Sequence, residues 1–314
     1  MRRSLRTKIL ALSLLPAAAM YLLVAVVAYF AAQSVAEGLV LDRDRELARL
    51  SAAEVSASLQ EYPELLSGVA RDLLAGGEGD ADLARALADS AVRLTYFDGG
   101  VVLLDNLGRV IAASPDGTVA LDDDWSSRST FRQIIQNPNR PSFSDIEAAE
   151  PFSVERLSAA PQAEERAEAL DYEPVIAIGV PVLTARNELR GVLVGRFRVG
   201  SDVLNPFYGT LLRLRLESKG QAHIVDGAGR LIYASDGGEV GQPFGDHPVA
   251  AVALTGTSGA LRTPTADGRE VLASYSPIPG TDWSLVIEEE WAALMAPLRR
   301  YAAGLALLLS LGII

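Results

Sequence analysis

Few residues in this chain have the type and setting to hold a small solute, and Arg128 comes first among them. Its guanidinium can grip a carboxylate through two parallel charge-assisted hydrogen bonds. Asp122, Asp123 and Asp124 stand close by in sequence, so a local ion pair is the competing use of the same side chain. Trp125 and Phe131 flank it at helical spacings, either as flat apolar walls of a pocket or as packed core. Asp145 follows the apolar Phe143 and the hydroxyl of Ser144. It could receive an amine, although an Asp after a short strand also serves as a turn or cap residue.

Catalytic and metal chemistry finds less to work with. The absence of Cys excludes a disulfide framework, a thiolate zinc site, an iron–sulfur cluster and a cysteine nucleophile. The only two histidines, His223 and His247, are too far apart for H-x-H or H-x-x-x-H ligation, so no metal site is expected. His223 reads as a hydrogen-bonded sheet residue. No G-x-S-x-G elbow occurs to place a serine nucleophile, and no phosphate loop of the G-x-x-x-x-G-K-[ST] or G-x-G-x-x-G kind is present. Gly76, Gly77 and Gly79 therefore read as a loop. No cofactor is expected, and the chain lacks a catalytic constellation.

The elements that must carry these residues follow from length and patterning. The chain has 314 residues, 49% of them apolar and 22% charged, with a net charge of −12 and a positive mean hydropathy of +0.19. Length suggests about two domains, the apolar fraction excludes wholesale disorder, and the acidity disfavours nucleic acid, which needs clustered Lys and Arg. The positive hydropathy belongs to the ends. Ile9 to Ala32 holds no charged residue and as a helix would span about 36 Å, enough to cross a membrane. Arg2, Arg3, Arg6 and Lys8 precede it and Glu37, Asp42 and Asp44 follow, so the positive-inside rule places a tail, 1–8, in the cytoplasm and the chain after 32 outside. A cleaved signal peptide is the alternative, with Ser34-Val35-Ala36 as its site, but the run exceeds the usual h-region. A second apolar run, 299–314 with its preceding arginines, is too short to span. It reads as the start of a second transmembrane helix, truncated, or as a short helix packed on the domain. Arg299 and Arg300 on the outer side mildly oppose the first reading, unless they snorkel to the headgroups.

All acidic residues lie between these ends, as suits a solvated extracytoplasmic domain. From Gln33 to about Leu74, Val35, Leu39, Leu47, Leu50, Val55, Leu59, Leu65, Leu66 and Val69 recur at helical spacing. The spacing predicts a long helix over 33–80 that Pro63 kinks or splits, with a stripe that packs on its own domain or on a second copy. A helix over about 81–92 is followed by strands near 101–105, 109–114, 174–183 and 191–199, then a helix over about 202–217 and strands near 222–226, 230–235, 271–278 and 283–290. An internal repeat divides this set in two. Asp105 to Ser114 and Asp226 to Ser235 both read D-x-x-G-R-apolar-Ile-x-Ala-Ser, a hairpin whose Asp and Gly shape the turn. Ala177 to Val182 likewise aligns with Ala273 to Ile278. The first copy holds about 25 extra residues between these landmarks, matching an Ala/Glu-rich insertion near 148–173.

Together the anchor, the long helix and the repeated hairpin modules resemble the double Cache (dCache) sensor family. The match is carried by Asp124-Trp125-Ser126-Ser127-Arg128-Ser129-Thr130-Phe131, by Pro141-Ser142-Phe143-Ser144-Asp145, by the strand pair IAIGVPV and GVLVGRF, and by the closing run VLASYSPIPGTDWSLVIEEE. The resemblance implies an α+β fold of two PAS-like modules over 33–298, antiparallel sheets with flanking helices. The modules would be a membrane-distal one over 81–200 and a membrane-proximal one, with its leading helix, over 201–298. It implies a ligand in the distal module, a small carboxylate or amino acid, with Arg128, Trp125, Phe131, Phe143, Ser144 and Asp145 as its site, and Trp283 and Pro277 as structural residues. It also implies a homodimeric membrane receptor, sensing outside the cell and feeding a histidine kinase, or else a chemoreceptor or cyclic-di-GMP enzyme. Ser129 and Thr130 depart from the aromatic residues of the family's amino-acid-binding subgroup, which leaves a simple carboxylate as an equal expectation. Readings of another class are a structural or dimerising ectodomain without ligand and a membrane-anchored hydrolase.

Overall fold

The computed structural model describes residues 5–116, 119–148, 174–199, 220–245, 248–265 and 268–297. Helix α1 (Leu5–Leu59) leaves Met20, Tyr21, Leu23, Val24, Val27 and Phe30 exposed near its start, and by length and composition this part could cross a membrane. The helix breaks at Gln60 rather than at Pro63. Pro63 is the third residue of α2 (Glu61–Leu73), in a first turn where its missing N–H has no intrahelical partner to lose. A 3-10 turn, Leu74–Gly76, leads to α3 (Asp80–Asp89).

Only part of the expected apolar stripe packs. Val35, Leu39, Leu47 and Leu50 remain exposed, whereas Ala48, Ala52, Val55 and Leu59 of α1 and Leu66, Val69 and Leu73 of α2 are buried. The buried face runs through Asp44, Ala48, Ala52, Val55 and Leu59; its two alanines let the helix lie close against the strands, whereas Leu39, Leu47 and Leu50 stay exposed.

Two antiparallel sheets follow. The first contains β1 (Val101–Asp105), β2 (Val110–Ser114), β3 (Ser142–Phe143), β4 (Glu147–Ala148), β5 (Pro174–Leu183) and β6 (Leu189–Arg198). Its order is β2-β1-β6-β5-β3, with β4 also pairing β5. The second contains β7 (Gln221–Val225), β8 (Leu231–Ala234), β9 (Gly259–Pro264), β10 (Glu270–Pro277) and β11 (Ser284–Glu290), in the order β8-β7-β11-β10-β9. The two orders are the same pattern, so the sequence repeat is a structural one. A second 3-10 turn, Ala91–Leu94, and short helices α4 (Ser129–Gln136), α5 (Pro248–Ala253) and α6 (Trp291–Leu294) complete the described elements. Patterning alone did not indicate β9, α4 or α5.

Strand β5 is buried along almost all of PVIAIGVPVL, which requires cover on both faces of the sheet. On one face α2 packs against the first sheet and α1 against the second. Leu59, Leu66, Ile178, Phe197, Trp283 and Leu285 consequently belong to one core that runs through both modules. On the other face each module has its own smaller core. Trp125, Phe131 and Ile134 cover Val102, Ala177 and Val194 in the first, and Val249 and Ala253 cover Val225, Tyr275 and Val286 in the second.

The helix expected over 202–217, the insertion from 149 onward, His247 and the second apolar run lie outside the described residues.

Candidate functional site

The repeated hairpin fixes where the site loop sits. In the first copy Asp105 Oδ1 accepts the N–H groups of Leu107 and Arg109, each at 2.8 Å. In the second Asp226 Oδ1 accepts those of Ala228 at 3.0 Å and Arg230 at 2.8 Å. Each turn needs a left-handed glycine, Gly108 at φ +90° and Gly229 at φ +83°. Gly108 has a second task. Its carbonyl accepts the Trp125 N–H at 2.7 Å, and a Cβ there would fall 2.7 Å from the Ser126 nitrogen. The hairpin thus pins the loop that carries Trp125.

Asp124 closes that loop on itself by accepting the Ser126 N–H at 2.8 Å. Hydrogen bonds from Ser126, side chain first and then backbone, hold the Asp124 carboxyl below its usual range. Asp124 is therefore a turn residue and not the partner of Arg128. Arg128 precedes the first residue of α4 in extended conformation, and its Nη1 donates to Glu147 Oε2 at 2.9 Å, with about a fifth of each side chain exposed. Its guanidinium carbon stands 4.0 Å from the centroid of the Trp125 ring, within cation–π range. A second guanidinium, Arg196 of β6, lies 5.6 Å from the same ring and is buried.

These four side chains collect for reasons of register. On β6, Val192, Val194 and Arg196 alternate onto the face covered by α4, and Arg196 pairs across β5 with Ala177. Glu147 pairs with Val175 two residues along the same strand. Gly179 lets α4 settle closely, since a Cβ there would lie 2.5 Å from Thr130 Cγ2. Under this lid two buried polar atoms, Trp125 Nε1 and Thr130 Oγ1, have no hydrogen-bond partner among the described residues. Buried polar atoms ordinarily find one.

The sequence candidates divide between two places. Arg128 and Trp125 belong to this cluster, and Phe131 packs in the core beside them. Phe143, Ser144 and Asp145 are instead committed to the seam between the modules. The Phe143 ring meets Trp283 edge-on at 5.7 Å, and Trp283 Nε1 donates to the Ser144 carbonyl at 3.1 Å. Asp145 Oδ1 accepts the Gly227 N–H at 2.9 Å, while Asp226 Oδ2 of the second module accepts the Ile146 N–H at 3.1 Å. Burial raises the Asp145 carboxyl, opposed by the Gly227 N–H. The second hairpin, so like the first in sequence, has turned its Asp to joining the two halves. Glu147 and Arg196 were missed by sequence reasoning. Arg196 did leave a signal, as a charge in register with two buried valines of an apolar strand.

A family model described as Cache domain matches residues 32–298. The chain belongs to the Cache domain family. This Cache domain has the fold of solved sensor domains. One is the ligand-binding domain of the Pseudomonas aeruginosa PAO1 amino-acid chemoreceptor PctC in complex with GABA, at 20% identity and TM-score 0.53, covering 78% of this chain and 97% of that one. Another is the ligand-binding domain of the Pseudomonas fluorescens chemoreceptor CtaA with L-leucine, at 16% and 0.54, covering 84% and 97%. A third is the extracellular domain of rpHK1S-Z16, described as a histidine kinase, at 18% and 0.51, covering 84% and 97%. No curated protein matches. At these identities the likeness establishes the two-module fold.

The second module of the Cache domain differs at the matching place. Sheet pairing sets Arg196 opposite Gly100 and Val194 opposite Val102, and correspondingly Val286 opposite His223. Glu288, two residues beyond Val286, thus occupies the place of Arg196. Burial raises its carboxyl, with His223 opposing. The His223 ring lies 5.2 Å from Phe244. Among the described residues no group of three or more His, Cys, Asp or Glu could hold a metal.

Proposed function

We propose that this Cache domain is the extracytoplasmic sensing part of a membrane receptor and that it holds a small amino acid or carboxylate under α4 of the first module. The observation that carries the reading is the Arg128 guanidinium, laid on the Trp125 ring and paired with Glu147 at the edge of the sheet. An α-carboxylate fits the Arg128 fork, with Arg196 adding positive field from the sheet. An α-ammonium fits Glu147. Trp125 Nε1 and Thr130 Oγ1 offer further hydrogen-bonding capacity on the same side.

Support comes from membership of the family and from solved neighbours described with GABA and L-leucine. Because the neighbours include both chemoreceptors and a histidine kinase, the two outputs are supported equally. The first apolar run serves as the membrane anchor in this reading, with residues 1–8 inside the cell, and the unpacked leucines of α1 serve as a contact between two copies. Binding shifts signalling only by its difference in affinity for two states of the module.

The test is calorimetry of the full chain in lipid nanodiscs against amino acids and small mono- and dicarboxylates. One of them is expected to bind, and Arg128→Ala to weaken it by about 2 kcal/mol or more. A ligand indifferent to Arg128→Ala removes Arg128 from the mechanism. A panel without any binder leaves the Trp125–Arg128–Glu147 cluster as a structural clasp.

A further inference from the structure

Away from Arg128, a cleft of about 490 Å³ opens where the two modules meet, a volume in the range of small-molecule sites. Gln133 and Asn137 line it from the end of α4, Arg140 from the loop beyond, Gln60 from the break between α1 and α2, and Asp282 from the β10–β11 turn. Carboxamides both donate and accept hydrogen bonds, and among the described lining residues the guanidinium of Arg140 and the carboxylate of Asp282 are of opposite sign. Among the described residues the lining therefore offers many directional polar groups and charges that balance.

The rim is held in place. Ser56 Oγ donates to the Pro279 carbonyl at 2.7 Å, fixing the turn to α1, and Thr281 Oγ1 donates to the Ile278 carbonyl at 2.9 Å. The Ser142 hydroxyl orients Gln133 by donating to its Oε1. Gln133 Nε2 then reaches Asp282 Oδ2 only at 3.4 Å, beyond the usual length of a good N–H···O bond. Both groups keep hydrogen-bonding capacity that a hydroxyl bridging them from the cleft can use. Phe143 and Pro141 add apolar surface to the lining, the complement of a ring's C–H face.

We propose that this cleft is a second ligand site, taking a neutral, hydroxyl-rich solute of monosaccharide size. Hydroxyls donate and accept at once, as the three carboxamides do, and a neutral molecule gains nothing from a charged lining and loses nothing from this one. The solute touches α4 of the first module, the β10–β11 turn of the second and the residue at which the long helix breaks. Its binding favours whichever arrangement keeps those three together.

The probes are D-glucose, D-ribose and myo-inositol, titrated into the full chain in nanodiscs with saturation-transfer NMR and calorimetry as readouts. At least one is expected to bind saturably. Asn137→Trp, which fills the cleft from an exposed position, and Asp282→Ala should each weaken it at least tenfold, and Arg128→Ala should leave it within twofold. If Asp282→Ala lowers the melting temperature, Asn137→Trp carries the test. Binding of none of the three, binding that survives Asn137→Trp, or binding lost with Arg128→Ala would each overturn the proposal. Since amino acids and carboxylates probe the Arg128 cluster separately, failure at this cleft leaves the reading of that cluster standing.

Discussion

At the scale of single residues, the proposed ligand site makes Glu147 the residue that sets what Arg128 would accept. Its carboxylate already neutralises part of the guanidinium, so an incoming anion competes with it, whereas a zwitterion finds a partner for each of its charges. Glu147→Gln keeps the shape and removes the charge. It should tighten a simple carboxylate and weaken an amino acid by about tenfold, roughly 1.4 kcal/mol, as read from paired titrations. Equal changes for both ligand types would place Glu147 outside the site. Asp145 gives the opposite kind of test. Its carboxylate accepts the Gly227 N–H across the seam, so Asp145→Ala should lower stability by about 1 kcal/mol in a urea titration and leave amino-acid binding unchanged. Loss of binding without loss of stability would return it to the ligand site.

At the scale of elements, the close approach of α4 to β5 rests on Gly179. A valine there meets Thr130 Cγ2 and should cost about 1–3 kcal/mol through overpacking, with Thr130→Gly in the same chain recovering part of the loss. Stability that does not respond to Gly179→Val would mean that α4 sits farther from the sheet. Helix α1 carries a different strain. Asp44 is 4% exposed, and its carboxylate oxygens accept no hydrogen bond among the described residues. Burial, reinforced by Glu289 and opposed by Arg43, raises its pKa to about 6. A carboxyl whose pKa is higher folded than unfolded favours the native state at low pH, and that favour is lost as pH rises from about 4 through 6. Asp44→Asn should therefore stabilise the domain at pH 7.5 by about 2–3 kcal/mol and flatten the stability profile between pH 4 and 7. A profile that keeps its slope in the variant would assign the titration to another group.

At the scale of the whole molecule, one core runs along α1 and α2 through both sheets, while each outer face has its own lid. This division separates two tasks: the shared core and the Asp145–Asp226 exchange tie the modules together, and the lids are free to differ. The repeat made the two modules legible from residues alone, because D-x-x-G-R encodes a turn through local hydrogen bonds, and both copies form the same bonds. Arg128 and Trp125 were legible as neighbours in sequence. Phe143, Ser144 and Asp145 were legible as a motif, but not as parts of a seam, since Trp283 and Gly227 reach them from more than eighty positions away.

The sequence by itself determined the elements whose causes are local. These are the apolar run at the start of α1, the helical pattern that follows it, the paired hairpins, and strands uniform enough to demand cover on both faces. Tertiary structure alone decided which face of α1 packs, that Arg128 pairs with Glu147 rather than with its neighbouring aspartates, and that Arg196 joins them from β6. Ion pairs and seams depend on distances between segments remote in the chain. Spacing within a sequence carries no measure of those distances until the strands have taken their register.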